Sequence, residues 1–219
     1  AISGDTVVIK GRYFTFNPAS CSVFFDDIEV MVESSTTEEL QVIVPCTMND
    51  KMNIRVAIGG IFSSTTIPFT LIPPILSGFS PSSGTFGEIV TITGTGMPTD
   101  TNCLEVYFNG FKGVVTEAAK TFCKARVPTA NNVSPVTITL KCTDNLSFTD
   151  KFNLEQAVIT NVHPTSLLSS QPIFISGENF NPDPQMNRIE IGGHVATVIN
   201  CTGTEMTVSV PSGLEDGYY

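Results

Sequence analysis

The chain has 219 residues, with 21 acidic against 11 basic side chains and a formal net charge of −10. That balance works against nucleic acid and anionic membrane surfaces, which require basic patches. No apolar run approaches the ~18 residues of a membrane-spanning helix, and six cysteines with two histidines, none in a CxxC pair, speak against zinc.

The first element is VVIKGRYF (7–14), in which alternating apolar residues lead to Gly11 and then to the bulky Phe14. SVFF (22–25) reads as a strand ending in a turn at Asp26-Asp27, and VIVP closes on Pro45. A second unit opens with PPILSGFSP (73–81) and continues with VTITGTGM (90–97) around Gly94 and Met97. Strands are then expected at Val106–Phe108, before a turn at Asn109-Gly110, at Cys123–Val127, and at Val136–Leu140, with FNL (152–154) closing the unit. The third unit runs AVITNVHP (157–164), IFISGENF (173–180) around Gly177 and Phe180, RIEI (188–191), a Gly192-Gly193 turn, and VSVP ending at Pro211.

These elements keep one period. Gly11, Gly94 and Gly177 stand 83 residues apart, as do Pro45, Pro128 and Pro211; Phe69 to Phe152 and Pro81 to Pro164 repeat the step. Such a period is too long for a solenoid unit and is the size of a small domain. The units divide at 1–72, 73–156 and 157–219. Unit one lacks a counterpart of the opening strand. Unit three stops just after VSVP, without counterparts of Val136–Leu140 and Phe152. The chain is therefore expected to be cut from a longer array, with ends that fray unless the continuing chain or a neighbouring copy completes them.

Period-two alternation, turn signals every few residues and no sustained helical period predict antiparallel β-sandwiches. The Asp, Asn and Gly turns tolerate the positive φ of tight hairpins. The repeated glycine marks a strand bend where backbones crowd, and Phe14, Met97 and Phe180 are expected to plug one end of each sandwich.

In this order and spacing, FSPSSG (79–84), VTITGTGM, VYFNG, ARVP and FNL resemble the IPT/TIG domain, an immunoglobulin-like module shared by plexins, Rel-type transcription factors, some starch-active bacterial enzymes and many large surface proteins. The resemblance covers the whole chain in three copies. It implies an all-β chain of tandem immunoglobulin-like sandwiches in a linear array. It also implies binding, spacing or dimerisation roles, with no catalytic residues, no cofactor and no metal to transfer.

Cys123 and Cys142 share inward parity on facing sheets, so a cross-sandwich disulfide is one reading and two buried thiols the other. Cys46 lies at the foot of unit one and Cys103 at the head of unit two, where a disulfide would staple the junction. Cys21 and Cys201 have no evident partner. Cysteine outside the core points to an oxidising compartment. Asn132, Asn145 and Asn200 begin N-x-S/T sequons; their number is what chance gives, and their loop placement permits glycans. His163 and His194 pair with no nucleophile in the repeat frame. Asp26-Asp27, Asp100 and Asp183 read either as calcium ligands at junctions or as solvated loop carboxylates. Gly94-Thr95-Gly96 precedes no helix and is no phosphate loop.

The first functional reading is a non-enzymatic structural or adhesive segment of an extracellular or cell-surface protein, acting as spacer, stalk or filament-forming array. Its partners are proteins, or other copies, met through loops and sheet edges, with glycan as a further candidate and no direct membrane contact. The second reading is an accessory, glycan-binding region of a polysaccharide-active protein, although no tryptophan is present and most of the fifteen phenylalanines fall at core positions. An intracellular dimerisation module fits the acidic charge and the triple array least.

Overall fold

A computed structural model describes residues 1–47, 49–130, 133–142, 145–148, 150–166 and 171–212. Module one contributes β1 (Thr6–Lys10), β2 (Cys21–Phe25), β3 (Ile28–Val30), β4 (Val32–Ser35), β5 (Glu39–Ile43), β6 (Lys51–Ile58), β7 (Ile61–Phe62) and β8 (Ile67–Thr70). Module two contributes β9 (Ile75–Ser80), β10 (Ser83–Gly84), β11 (Ile89–Thr95), β12 (Glu105–Phe108), β13 (Phe111–Ala119), β14 (Phe122–Arg126), β15 (Ile138–Lys141), β16 (Asn145–Ser147) and β17 (Asn153–Leu154). Module three contributes β18 (Val158–His163), β19 (Pro172–Glu178), β20 (Ile189–Ile191), β21 (His194–Cys201) and β22 (Glu205–Ser209).

The alternation in sequence becomes alternation in burial. In β2 the side chains of Cys21, Val23 and Phe25 point inward, and in β14 those of Cys123 and Ala125 do. Each module closes its own core. That of module two gathers Val90, Ile92, Met97, Val106, Phe108, Cys123, Ile138, Leu140 and Phe152, and clusters around Phe25 and Leu40 and around Phe180 and Val208 serve modules one and three. Phe108 meets Phe152 edge-on across the sandwich with centroids 6.4 Å apart, a geometry that aromatic quadrupoles favour.

The ladders repeat with the sequence. β11 pairs with β14 on one side and with β9 on the other, and β19 pairs with β22 and with β18 in the same way. Their counterpart β1 pairs with β5; among the described residues no strand lies on its outer edge.

Several elements escaped the sequence reading, β13 and its counterparts among them. β13 is a nine-residue strand that serves both sheets: Phe111–Gly113 pair with β12, and Val114–Ala119 pair with β14. β21 does the same between β20 and β22, and in module one the strand is broken at Met31 into β3 and β4. A strand that changes sheets changes which face is buried midway, so its alternation breaks and the period-two signal fades.

The repeated glycine sits at a bulge. The β11–β9 register shifts between Thr93 and Gly94. A Cβ at Gly94 would strike the carbonyl oxygen of Ile75, and at Gly177 the carbonyl oxygen of Val158. It would also meet the plug residue: Phe14 at Gly11, Met97 at Gly94, Phe180 at Gly177. Met97 and Phe180 are fully buried, while Phe14 is half-buried.

Candidate functional site

The strongest concentration of unusual geometry lies where modules meet. Each module presents a head built the same way. The residue two after the repeated glycine has positive φ: Tyr13 (64°), Gly96 (71°) and Asn179 (59°). Four residues later an Asx side chain caps a short 3-10 turn. Asn17 accepts from the Ala19 amide at 3.2 Å, Asp100 from Asn102 at 2.9 Å, and Asp183 from Gln185 at 3.0 Å. Asx residues suit this position because their short side chains satisfy main-chain amides that the turn leaves open.

At the first junction Cys46, at the foot of module one, is bonded to Cys103 on the head of module two. Asp100 lies beside the pair, its ligand atom within 4.8 Å of both sulfurs; with the sulfurs joined, neither is a thiolate available to a metal. At the same junction Lys120 Nζ lies 3.0 Å from Asp5 Oδ1. Asp5 also accepts from the Ile2 amide at 3.1 Å. These two donors, the amide first, hold its carboxyl below the usual carboxylate range.

At the second junction a hydrogen bond engages the foot position that the disulfide engages at the first. Asn181 is 3% exposed, and its Nδ2 donates to the Thr129 carbonyl at 2.6 Å. Thr129 is 83 residues beyond Cys46. Asn179 Nδ2 donates to the Gln156 carbonyl at 3.1 Å. Asn187 Nδ2 ties the loop together, donating to the carbonyls of Asn181 and Asp183 at 2.7 and 2.9 Å. A cleft of about 520 Å³ opens here, lined among others by Phe86, Leu154, Ile159, Met186 and Ile189.

The expected Cys123–Cys142 disulfide is not formed: both residues are buried as thiols within the core of module two. Burial pushes the Cys123 thiol up to about 12, and the neighbouring Cys142 adds to the shift. The parity argument placed both side chains inward but could not supply the Cβ approach a disulfide needs. Cys21 and Cys201 are also buried thiols; burial raises Cys201, against a hydrogen bond from Asn187.

The sequons separate. Asn132 lies outside the described residues, as do 213–219. Asn145 begins β16, and Asn200 is exposed near the end of β21. His163 and His194 are exposed on β18 and β21. Of the acidic residues considered for calcium, Asp100 and Asp183 cap their turns, Asp26 accepts from the Asn53 amide at 2.9 Å, and Asp27 lies 3.6 Å from the Arg55 guanidinium.

Sequence reasoning missed Asp5–Lys120, the Asn181–Thr129 contact and the exposed pair Tyr13 and Phe16. The 83-residue register held a signal for the second of these, since it carries the foot position Cys46 onto Thr129.

The sequence profile of the IPT/TIG domain matches residues 1–71, 74–155 and 157–219. A comparison with curated proteins returns no match. Among solved structures, the full extracellular region of plexin A4 superposes with a TM-score of 0.42 at 17% identity, covering 97% of this chain and 20% of that one. The surface glycan-binding protein SGBP-B of Bacteroides ovatus gives 0.28 at 18% identity over 99% of this chain and 57% of its own. PbSGBP-B of Prevotella bryantii gives 0.35 at 22% identity over 68% and 37%. The chain thus spans about a fifth of the plexin region and little more than half of the B. ovatus protein. With the profile matched in three copies, end to end, the chain belongs to the IPT/TIG domain family.

Proposed function

We propose that this chain is a non-catalytic structural segment of an extracellular or cell-surface protein, in which stacked modules set the spacing and direction of whatever the array carries. The observation that supports this reading best is the first junction, where a disulfide and the Asp5–Lys120 pair both link two modules. A single short linker leaves two domains free to swivel; further tethers between them reduce that freedom. The disulfide also supports secretion, because such bonds persist in oxidising compartments. Solution scattering of the full chain tests the proposal. The expected result is an elongated particle whose distance distribution broadens under reductant. A compact particle, or one unchanged by reduction, refutes it.

Glycan contact is a second reading, favoured by one surface. On the outer face of module one, the Arg55 guanidinium lies 5.9 Å from the Phe24 ring and 5.2 Å from that of Phe62. Phe62 is 51% exposed. Tyr107, 83 residues after Phe24, sits instead in a closed polar cluster, donating to Glu105 at 2.9 Å while Lys112 reaches Glu105 at 2.7 Å. A half-exposed ring beside a guanidinium suits a sugar face and its hydroxyls. Titration with neutral and acidic oligosaccharides checks this: binding lost in Phe62→Ala supports it, and no binding removes it.

A further inference from the structure

The first junction gathers three metal-ligating side chains from two modules. Asp100 and Cys103 stand three residues apart on one turn of module two, and Cys46 reaches them from the foot of module one, 57 residues before Cys103. One oxygen of the Asp100 carboxylate and the two sulfurs all lie within 4.8 Å of one another. Among the described residues no other three histidine, cysteine or acidic side chains are gathered in this way. The Asx cap itself belongs to the repeat, since Asn17 and Asp183 hold it in modules one and three. The sulfurs do not belong to it. Thr129 and Met186 take the places of Cys46 and Cys103 at the second junction, and Ser20 takes that of Cys103 in module one.

The turn explains why the donors converge. The Cys103 amide donates to the Asp100 carbonyl at 3.1 Å, and in a 3-10 turn residues i and i+3 eclipse one another. Asp100 accepts from the amide and from Nδ2 of Asn102, both at 2.9 Å and both on Oδ1. Among the described residues no hydrogen bond falls on Oδ2, which leaves that oxygen for a cation. Zinc sites use the same spacing as C-x2-C; here a carboxylate takes the first place, so a search for paired cysteines passes it over. Thiolates bind zinc at about 2.3 Å and carboxylates at about 2.0–2.2 Å, so a tetrahedron sets such ligand atoms roughly 3.5–3.8 Å apart. The Cα atoms of Cys46 and Cys103 are 4.9 Å apart. Rotation about the two Cα–Cβ bonds gives separated sulfurs that spacing with the backbone unmoved.

We infer that the first junction, once reduced, is a binding site for a zinc-class divalent cation, held by Cys46 Sγ, Cys103 Sγ and the Asp100 carboxylate, with water in the fourth position. Two thiolates select a soft or borderline ion over calcium or magnesium, which take oxygen donors. Cys46 is exposed, so an external dithiol reaches it from solvent. The dithiol supplies two electrons and two protons: the S–S bond breaks, the dithiol closes to its own cyclic disulfide, and Cys46 and Cys103 become thiols. The cation then displaces both thiol protons as the two metal–sulfur bonds form. Without a cation, two thiolates beside a carboxylate repel one another; a divalent ion turns that repulsion into a bond shared between modules. The inference rests on the reading of this junction as a link between stacked modules. It gives the link a second form, covalent when oxidised and coordinate when reduced.

The full chain is reduced with dithiothreitol, freed of it by gel filtration without oxygen, and titrated with cadmium, whose bonds to thiolate give an ultraviolet charge-transfer band. One cadmium per chain is expected, displaced by zinc and not by excess calcium. No band, or a band that calcium removes, overturns the inference. Cys46→Ser should weaken this uptake at least a hundredfold. An unchanged band in that variant places the metal among the buried thiols Cys21, Cys123, Cys142 and Cys201 and overturns the assignment. Asp100→Asn keeps the cap, as Asn17 does in module one. It should weaken cadmium binding at least tenfold and leave the unfolding midpoint of the metal-free chain unchanged, which separates a lost ligand from a lost turn. Equal affinity removes the carboxylate from the site and overturns the ligand set. Solution scattering of the reduced chain reads the junction separately: zinc should narrow the distance distribution that reduction broadened, and no narrowing overturns the coordinate link. An elongated chain that takes up no cadmium fails the inference and keeps the stacked reading, whereas a compact chain that binds one cadmium does the reverse.

Discussion

Gly94→Ala and Gly11→Ala change the same letter of the repeat, yet they should differ sharply in cost. At Gly94 an added Cβ falls on the Ile75 carbonyl oxygen, 3.2 Å from its carbon and 2.9 Å from Met97 Cε. The methionine end is flexible and can move; the carbonyl belongs to the β9 backbone and cannot yield unless the strand lifts off β11. Overpacking of this kind costs roughly 1–3 kcal/mol, at the upper end where a strand is displaced. The smaller entropy of an unfolded alanine returns ~0.4–1 kcal/mol. The net expectation is a loss of about 2 kcal/mol, or a fall of roughly 8–16 °C in the midpoint of a module this size. At Gly11 the three atoms nearest the Cβ all belong to the ring of Phe14, a half-buried side chain that can swing outward, so the net change should stay within about 1 kcal/mol of zero. Urea unfolding of the full chain, followed by hydrogen exchange on peptides from each module, resolves the two. Gly94→Ala should also expose the amides of 75–80. Equal destabilisation by both substitutions, or intact β9 protection in Gly94→Ala, refutes the reasoning.

Cys103→Ser should loosen the first junction. For partners 57 residues apart, the loop-entropy account gives up to about 4 kcal/mol, read as a lower unfolding midpoint for module one and, without reductant, a lost Cys46–Cys103 peptide. Cys123, with its thiol pushed up to about 12 and no exposure, should resist iodoacetamide near neutral pH in the native chain and react on unfolding; ready native alkylation would contradict its burial. Asp5 carries a lowered folded pKa relative to its ordinary 3.8. Its contribution is therefore present above that value and lost as pH falls through the lowered one. The stability gap between native chain and Asp5→Asn should hold steady from about pH 8 to about 5 and close below about 4; a constant gap in acid would deny the role.

Much of the fold was legible because each signal was local or periodic. Phe25 and Phe108, Leu40 and Cys123, Val44 and Val127 hold equivalent core places because a strand's alternation fixes the face and the 83-residue step fixes the module. The turn at Asn109-Gly110 needed only the tolerance of those residues for positive φ, which both adopt. Cys46 and Cys103 could be set on facing ends of consecutive modules, since that depends on chain order alone.

Tertiary structure decided everything that turns on distance between separate elements. Cys123 and Cys142 have the right parity and yet stand as thiols, because parity gives direction and a disulfide needs separation and angle as well. β13 was hidden because a strand that passes from one sheet to the other reverses which face is buried. The head of module one is the clearest case. VVIKGRYF and VTITGTGM look alike as sequence, but only the packing shows that Met97 is fully buried in its module's core while Phe14 is half-buried and Tyr13 and Phe16 are exposed. A repeat specifies the same local conformation at each copy; whether a surface is covered depends on what lies across from it, and that information is held in no single stretch of chain.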